Sequence, residues 1–105
     1  MTTPAGTLGQ RILVVDDEPD IVALIAYHLA KAGYRVSTAT TGSDALETAR
    51  RERPALIVLD LMLPEMSGYE VLEQLRADKA TATIGVLMLT ARRDEQIGRR
   101  RVGKV

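Results

Sequence analysis

Short apolar runs alternate with helical stretches along this chain. Residues 12–15 read Ile-Leu-Val-Val, a continuous apolar run typical of a strand that is buried on both faces. Residues 56–59 and 84–89 have the same character, and residues 34–39 indicate a further strand. The pattern therefore predicts four strands, each separated from the next by a segment long enough for a helix.

The intervening segments have the spacing and end signals of helices. Pro19 suits a first helical turn, and Gly33 suits the end of that helix. Thr41 with Asp44 resembles a capping box for the second helix. The apolar positions expected to face the core are Ile21, Leu24, Ile25 and Leu29, then Ala45, Leu46 and Ala49, then Tyr69, Val71, Leu72 and Leu75. Strands alternating with helices predict an α/β fold with a parallel sheet.

Four polar residues stand where the predicted strands end. Asp16 and Asp17 follow the first strand, Asp60 follows the third, and Thr90 follows the fourth. In open parallel sheets, ligands bind beyond the carboxyl ends of the strands. We therefore expect these four side chains to converge on one site.

Three carboxylates in one cleft repel each other unless one is protonated or a cation joins them. Mg²⁺ binds through a few carboxylates, waters and phosphate oxygens, so a magnesium site is the hypothesis that suits Asp16, Asp17 and Asp60. A carboxylate such as Asp60 can then act as a nucleophile and form an aspartyl-phosphate. The Thr90 hydroxyl is expected to donate to a phosphoryl oxygen.

Composition restricts the remaining possibilities. The 105 residues fit one domain, and the absence of Cys excludes disulfides and thiolate metal sites. No apolar run is as long as a membrane span and residues 1–10 do not resemble a signal peptide, so we expect a cytoplasmic protein without membrane contact. We expect residues 1–10 to be a flexible extension, 11–91 the domain, and 92–105 an irregular basic tail of net charge +4. No direct nucleic-acid binding is expected, because no aromatic residue is interleaved with these cations.

Three sequence motifs closely resemble one family. LVVDDE at 13–18, LDLMLPEMSG at 59–68 and LMLTA at 87–91 are similar to receiver domains of two-component response regulators. The resemblance is to CheY-like domains and is closest to the winged-helix OmpR/PhoB-type subfamily. It implies a three-layer α/β/α, doubly wound, flavodoxin-like sheet of strand order 2-1-3-4-5.

The resemblance also implies a function for each matching position. Asp60 would accept a phosphoryl group from a sensor histidine kinase in a Mg²⁺-dependent reaction, and Thr90 would be the switch hydroxyl. Asp17 would bind Mg²⁺ directly and Asp16 mainly through water, and the backbone carbonyl of Met62 would complete the site. A receiver is a signalling domain, so no enzymatic turnover is expected beyond self-phosphorylation and slow self-dephosphorylation.

The segment after Thr90 departs from the family pattern. Receivers continue through a fourth helix, a fifth strand with a Lys-Pro pair and a fifth helix, whereas this chain reads ARRDEQIGRRRVGKV. Lys104 follows Thr90 too closely to match the phosphate-binding lysine, so that role is not assigned to it. We expect a receiver that lacks its last elements, is less stable than a complete one, and self-associates through an exposed fourth strand.

Two alternative functions remain open at this point. One is a non-switching receiver remnant that binds Mg²⁺ or a kinase without an output. The other is a Mg²⁺-dependent phosphohydrolase with an aspartyl nucleophile, although such enzymes place a D-x-D motif after the first strand, where this chain reads Asp16-Asp17-Glu18-Pro19. His28 is expected to have a packing or surface role, and Met62, Met66 and Met88 are expected to fill gaps in the core.

Overall fold

Four parallel strands form the sheet of this protein, whose computed structural model describes residues 9–89. The strands are β1 (Arg11–Val15), β2 (Arg35–Ala39), β3 (Leu56–Asp60) and β4 (Gly85–Leu89), in the spatial order β2-β1-β3-β4. This order confirms the predicted α/β class and the 2-1-3-4 part of the predicted topology. Within residues 9–89, β2 and β4 are the two edge strands.

In the described part of the chain, three helices alternate with the strands, namely α1 (Pro19–Lys31), α2 (Gly42–Glu52) and α3 (Gly68–Ala77). Pro19 begins α1 as predicted, and Gly33 lies just beyond its end with a positive φ of 104°. Thr41 caps α2 by accepting the N–H of Asp44 on its hydroxyl oxygen. The four strands thus begin and end within one residue of the predicted positions, and α1 and α2 begin where the end signals predicted.

The helices cover the two faces of the sheet and produce two core clusters. Alternate residues of β1 illustrate the division: Leu13 and Val15 face α2 and α3, whereas Ile12 and Val14 face α1. Both strands at the centre of the sheet are buried on both faces, which explains their continuous apolar runs. The arrangement is the expected three-layer α/β/α fold.

Some residues predicted to lie in the core are exposed. Leu24 is 55% exposed and Tyr69 63% exposed, because Val22 and Ile25 in α1 and Val71 and Leu75 in α3 already fill the sheet-facing side of each helix.

The expectation that Met62 fills a gap is also wrong, since its side chain is 56% exposed. Met66 and Met88 do pack against the core.

The position of His28 agrees with its predicted role. His28 is exposed on α1 and its ring contacts that of Tyr27 edge to face, with centroids 5.3 Å apart, so it has a surface role. Within residues 9–89, every helix is too short or too polar to cross a membrane. The proposed boundaries at residues 10 and 91 stay predictions.

Candidate functional site

The parallel register of the sheet brings Asp16 next to Asp60. Val15 pairs with Leu59 between β1 and β3, so the residues that follow them, Asp16 and Asp60, lie side by side at the carboxyl edge. Asp16 is fully buried and Asp60 is 1% exposed, while Asp17 is half-buried. The convergence predicted for these three carboxylates is therefore found in the fold.

The carboxylates of Asp16, Asp17 and Asp60 form a compact group. One oxygen from each lies within 4.8 Å of the others. Backbone N–H groups hold two of the side chains: Glu18 N donates to Asp16 Oδ1 at 2.9 Å, and Met62 N donates to Asp60 Oδ1 at 3.2 Å. These bonds fix the orientations of Asp16 and Asp60 through the turns that follow β1 and β3.

The loop after Asp60 is held in place by close backbone contacts. Leu61 N donates to Leu89 O of the neighbouring strand, and Gly68 N donates to Leu61 O at 2.8 Å. A Cβ on Gly68 would lie 2.6 Å from the carbonyl oxygen of Asp60, which is closer than real Cβ contacts. Only glycine therefore lets the start of α3 approach the site so closely.

A capping box fixes the start of α3. Ser67 Oγ accepts the N–H of Glu70, and the Glu70 carboxylate accepts the N–H of Ser67. The sequence S-x-x-E from Ser67 to Glu70 is the signal of a capping box, so this helix start could have been predicted from it. The Met62 N–H was also missed as a contact of Asp60, since nothing in residue types specifies which backbone amide meets a side chain.

The donor set of the three carboxylates fits a hard divalent cation. All three groups offer oxygen, which is the ligand that Mg²⁺ prefers, and their mutual repulsion in a buried cleft would be relieved by its charge. Met62 lies on the loop beside Asp60, and the role expected of its backbone carbonyl stays a prediction. Thr90 lies outside the described residues, so its expected role stays a prediction; Lys104, which was given no role, lies outside them too.

Comparison with known proteins gives one consistent result. Residues 12–103 match the response regulator receiver domain. The transcriptional regulatory protein PhoP of alkaline phosphatase synthesis in Bacillus subtilis is 51% identical over 88 residues, which is 84% of this chain and 36% of that protein. The DNA-binding response regulator MtrA of Mycolicibacterium smegmatis is 43% identical over 84% of this chain and 37% of that protein. The chain thus spans about a third of the length of these relatives.

Solved structures agree with the sequence relatives. A receiver protein's N-terminal domain from Methanoculleus marisnigri has a TM-score of 0.73 and 39% identity, over 88% of this chain and 79% of that one. The receiver domain of a sensor histidine kinase from Pseudomonas aeruginosa has a TM-score of 0.76 and 32% identity, over 87% of this chain and 75% of that one. That second structure is described with a magnesium ion coordinated in its active-site cleft. With its 2-1-3-4 sheet, its carboxylate cluster and a match over residues 12–103, the chain belongs to the response regulator receiver domain family.

Proposed function

We propose that this chain accepts a phosphoryl group on Asp60 from a phosphohistidine of a sensor histidine kinase, with Mg²⁺ bound beside it. The observation that carries the proposal is the group of three carboxylates, one oxygen of each within 4.8 Å of the others. Asp60 is the member that ends the central strand β3, and its side chain is held by the N–H of Met62. The chain would thus be the phosphoacceptor of a two-component pathway.

Asp16, Asp17 and Asp60 would hold the metal, together with the backbone carbonyl of Met62. Asp17 is the more exposed of the acidic pair, which suits direct ligation of an ion that keeps several waters. Asp16 is fully buried and already accepts the N–H of Glu18, which suits a contact through water. When bound, Mg²⁺ supplies positive charge that offsets the charge on the carboxylates and on the phosphoryl oxygens.

The proposed transfer is a displacement at phosphorus. A carboxylate oxygen of Asp60 forms the new P–O bond while the P–N bond to the donor imidazole breaks, and its electron pair stays on the imidazole nitrogen. The Met62 N–H keeps Oδ1 oriented, so the carboxylate presents a fixed geometry to the incoming phosphorus. Thr90 would donate its hydroxyl to a phosphoryl oxygen as the switch residue.

The proposed role is that of a signalling domain in the cytoplasm and not that of an enzyme. Activity beyond self-phosphorylation and slow self-dephosphorylation is not expected of such a domain. The relatives' names describe transcriptional regulators, and this chain would contribute to such an output as the phosphorylated module. The cytoplasmic location expected from the sequence belongs to this proposal, as does the absence of direct nucleic-acid and membrane contacts.

Phosphorylation of the purified chain tests the proposal. Incubation with acetyl phosphate and Mg²⁺ should add one phosphoryl group, which base releases readily, as expected of an acyl phosphate. Asp60→Asn should abolish this addition, whereas Asp44→Asn, at an exposed carboxylate outside the cluster, should not. Phosphate on Ser, Thr or His would contradict the assignment, and turnover of a phosphate monoester would favour the hydrolase hypothesis instead.

Self-association through β4 is a separate part of the proposal. Leu87 is 53% exposed on this strand, which is an edge of the sheet within residues 9–89. An apolar edge strand offers backbone groups and side chains to a second copy. Leu87→Lys should weaken self-association in sedimentation experiments, while Leu24→Lys, at a similarly exposed leucine on α1, should leave it unchanged. Equal effects of both substitutions would contradict an association site on β4.

A further inference from the structure

In the described residues, the cations lie at one end of the sheet and most of the carboxylates lie at the other. Every Lys and Arg within residues 9–89 lies at the end where the strands begin and the helices finish. The carboxyl end, where Asp60 lies, carries the exposed carboxylates of Glu18, Asp20, Asp44, Glu65 and Glu70 in addition to the site cluster. We call these two ends the basic pole and the acidic pole.

Favourable placement at helix ends explains only part of the basic pole. Cations near a helix carboxyl terminus interact well with its dipole, which accounts for the basic residues in the last turns of α1, α2 and α3. It does not account for Arg11 and Arg35, which begin neighbouring strands and are directly paired in register. Nor does it account for Lys79, which follows α3. Helix dipoles therefore do not explain why all these cations lie at the basic pole.

Few carboxylates neutralise this surface. Glu52 is shared by Arg11 and Arg51, and Asp78 pairs with Arg50. Arg35 and Lys79 are exposed, and neither forms an ion pair with a residue in the described part of the chain. The basic pole thus presents uncompensated cations to any surface that approaches it.

The two poles act separately because of their distance. A five-residue strand such as β1 spans about 17 Å. This is longer than the Debye length of about 8 Å at physiological salt, so salt screens the attraction between the two poles of one copy. Each pole therefore interacts more strongly with a charged molecule in contact with it than with the opposite pole. The whole chain has a formal net charge of zero, so no net repulsion opposes contact between two copies.

We propose that two copies of this chain associate head to tail, with the basic pole of one copy against the acidic pole of the next. Charge complementarity carries this choice of partner, because each copy offers both surfaces. The contact is heterologous, so it leaves an unused pole at each end and can add further copies. It covers the edge of the sheet that holds Asp60, so a second copy would compete with a phosphodonor for that face.

Neutralised variants test the proposal in a form that keeps the site residues intact. Asp20→Asn with Glu65→Gln reduces the acidic pole, and Arg35→Gln with Lys79→Gln reduces the basic pole. Each variant alone should lose the salt-sensitive part of its self-association in sedimentation equilibrium, while an equimolar mixture should regain it as a 1:1 pair, because each variant keeps the pole that the other lacks. Glu47→Gln with Glu73→Gln changes the net charge as the acidic-pole variant does, but in the middle of α2 and α3, and should associate as the unmodified chain does.

The salt dependence of association and the position of the contact on the chain provide a second test. Raising NaCl from about 50 mM to about 500 mM in EDTA should weaken association at least roughly tenfold, since the contact depends on screened charges. Amide shifts that change on dilution at low salt but not at high salt should lie at both poles, whereas pairing through β4 would give salt-insensitive changes along that strand. Association that is insensitive to salt and to both pole variants would overturn the proposal. Binding of the chain's own basic residues 92–105 to the acidic pole, recognised by independence from concentration, would overturn it equally.

Discussion

Gly68 approaches Asp60 so closely that a Cβ on the glycine would lie 2.6 Å from the aspartate carbonyl oxygen. The same Cβ would lie 2.9 Å from Leu61 Cα, so both obstacles are backbone atoms. Neither can move aside as a flexible side chain can. The position of the phosphoacceptor loop therefore depends on the absence of a side chain at the first residue of α3.

Gly68→Ala should accordingly displace the loop that follows Asp60. We expect a loss of about 1–3 kcal/mol in the free energy of unfolding, the range for overpacked sites, together with weaker Mg²⁺ binding. Gly85→Ala is the matched control, because its nearest obstacles lie 3.5 Å away at ordinary contact distance. Chemical denaturation of both variants would measure the difference, and similar stabilities would contradict the close approach.

The sequence predicted the site from strand ends but could not predict this contact. Asp16, Asp17 and Asp60 were identified because residue type and position relative to apolar runs determine which carboxylates meet at a sheet edge. The approach of Gly68 depends on how α3 is inclined towards β3, which is a property of three-dimensional packing. The exposure of Leu24 and Tyr69 was likewise missed, since a helical period alone does not state how wide the buried stripe is.

The acidic pair gives a prediction about the metal. Asp17→Asn should reduce Mg²⁺ affinity more than Asp16→Asn does, because Asp17 is the half-buried residue proposed to bind directly. In EDTA, both substitutions should raise the melting temperature, since each removes one of three like charges held within 4.8 Å. Calorimetric titration and thermal melts would check the two effects. Unchanged affinity in Asp17→Asn would remove this residue from the metal site.

Arg53 provides a prediction about backbone strain. It ends α2 with φ 47° and ψ 63°, a left-handed conformation that favours glycine, while its N–H donates to Ala49 O at 2.8 Å. Arg53→Gly should therefore stabilise the fold by about 0.5–1 kcal/mol. Glu47→Gly, in the middle of the same helix, should instead destabilise it by about 1 kcal/mol. Urea denaturation would measure both changes, and a destabilising Arg53→Gly would show that the arginine side chain matters more than its backbone.

Glu52 gives the fold a pH dependence of defined sign. A hydrogen bond from the Ser37 hydroxyl is the main reason that the pKa of Glu52 lies below its ordinary value of 4.5, and Arg51 and Arg11 lower the pKa further while burial opposes them. A carboxyl whose pKa is lower in the folded state stabilises that state above its unfolded pKa, and this contribution is lost as the pH falls through the folded pKa. Wild type should therefore have a higher melting temperature than Glu52→Gln at neutral pH, and the difference should shrink as the pH falls below the ordinary value of 4.5. Ser37→Ala should move the loss towards higher pH, because the largest cause of the lowered pKa is removed. Melting curves of the three proteins from pH 7 to about pH 3 would measure this, and a difference that stayed constant across that range would mean that the charge of Glu52 contributes nothing to stability.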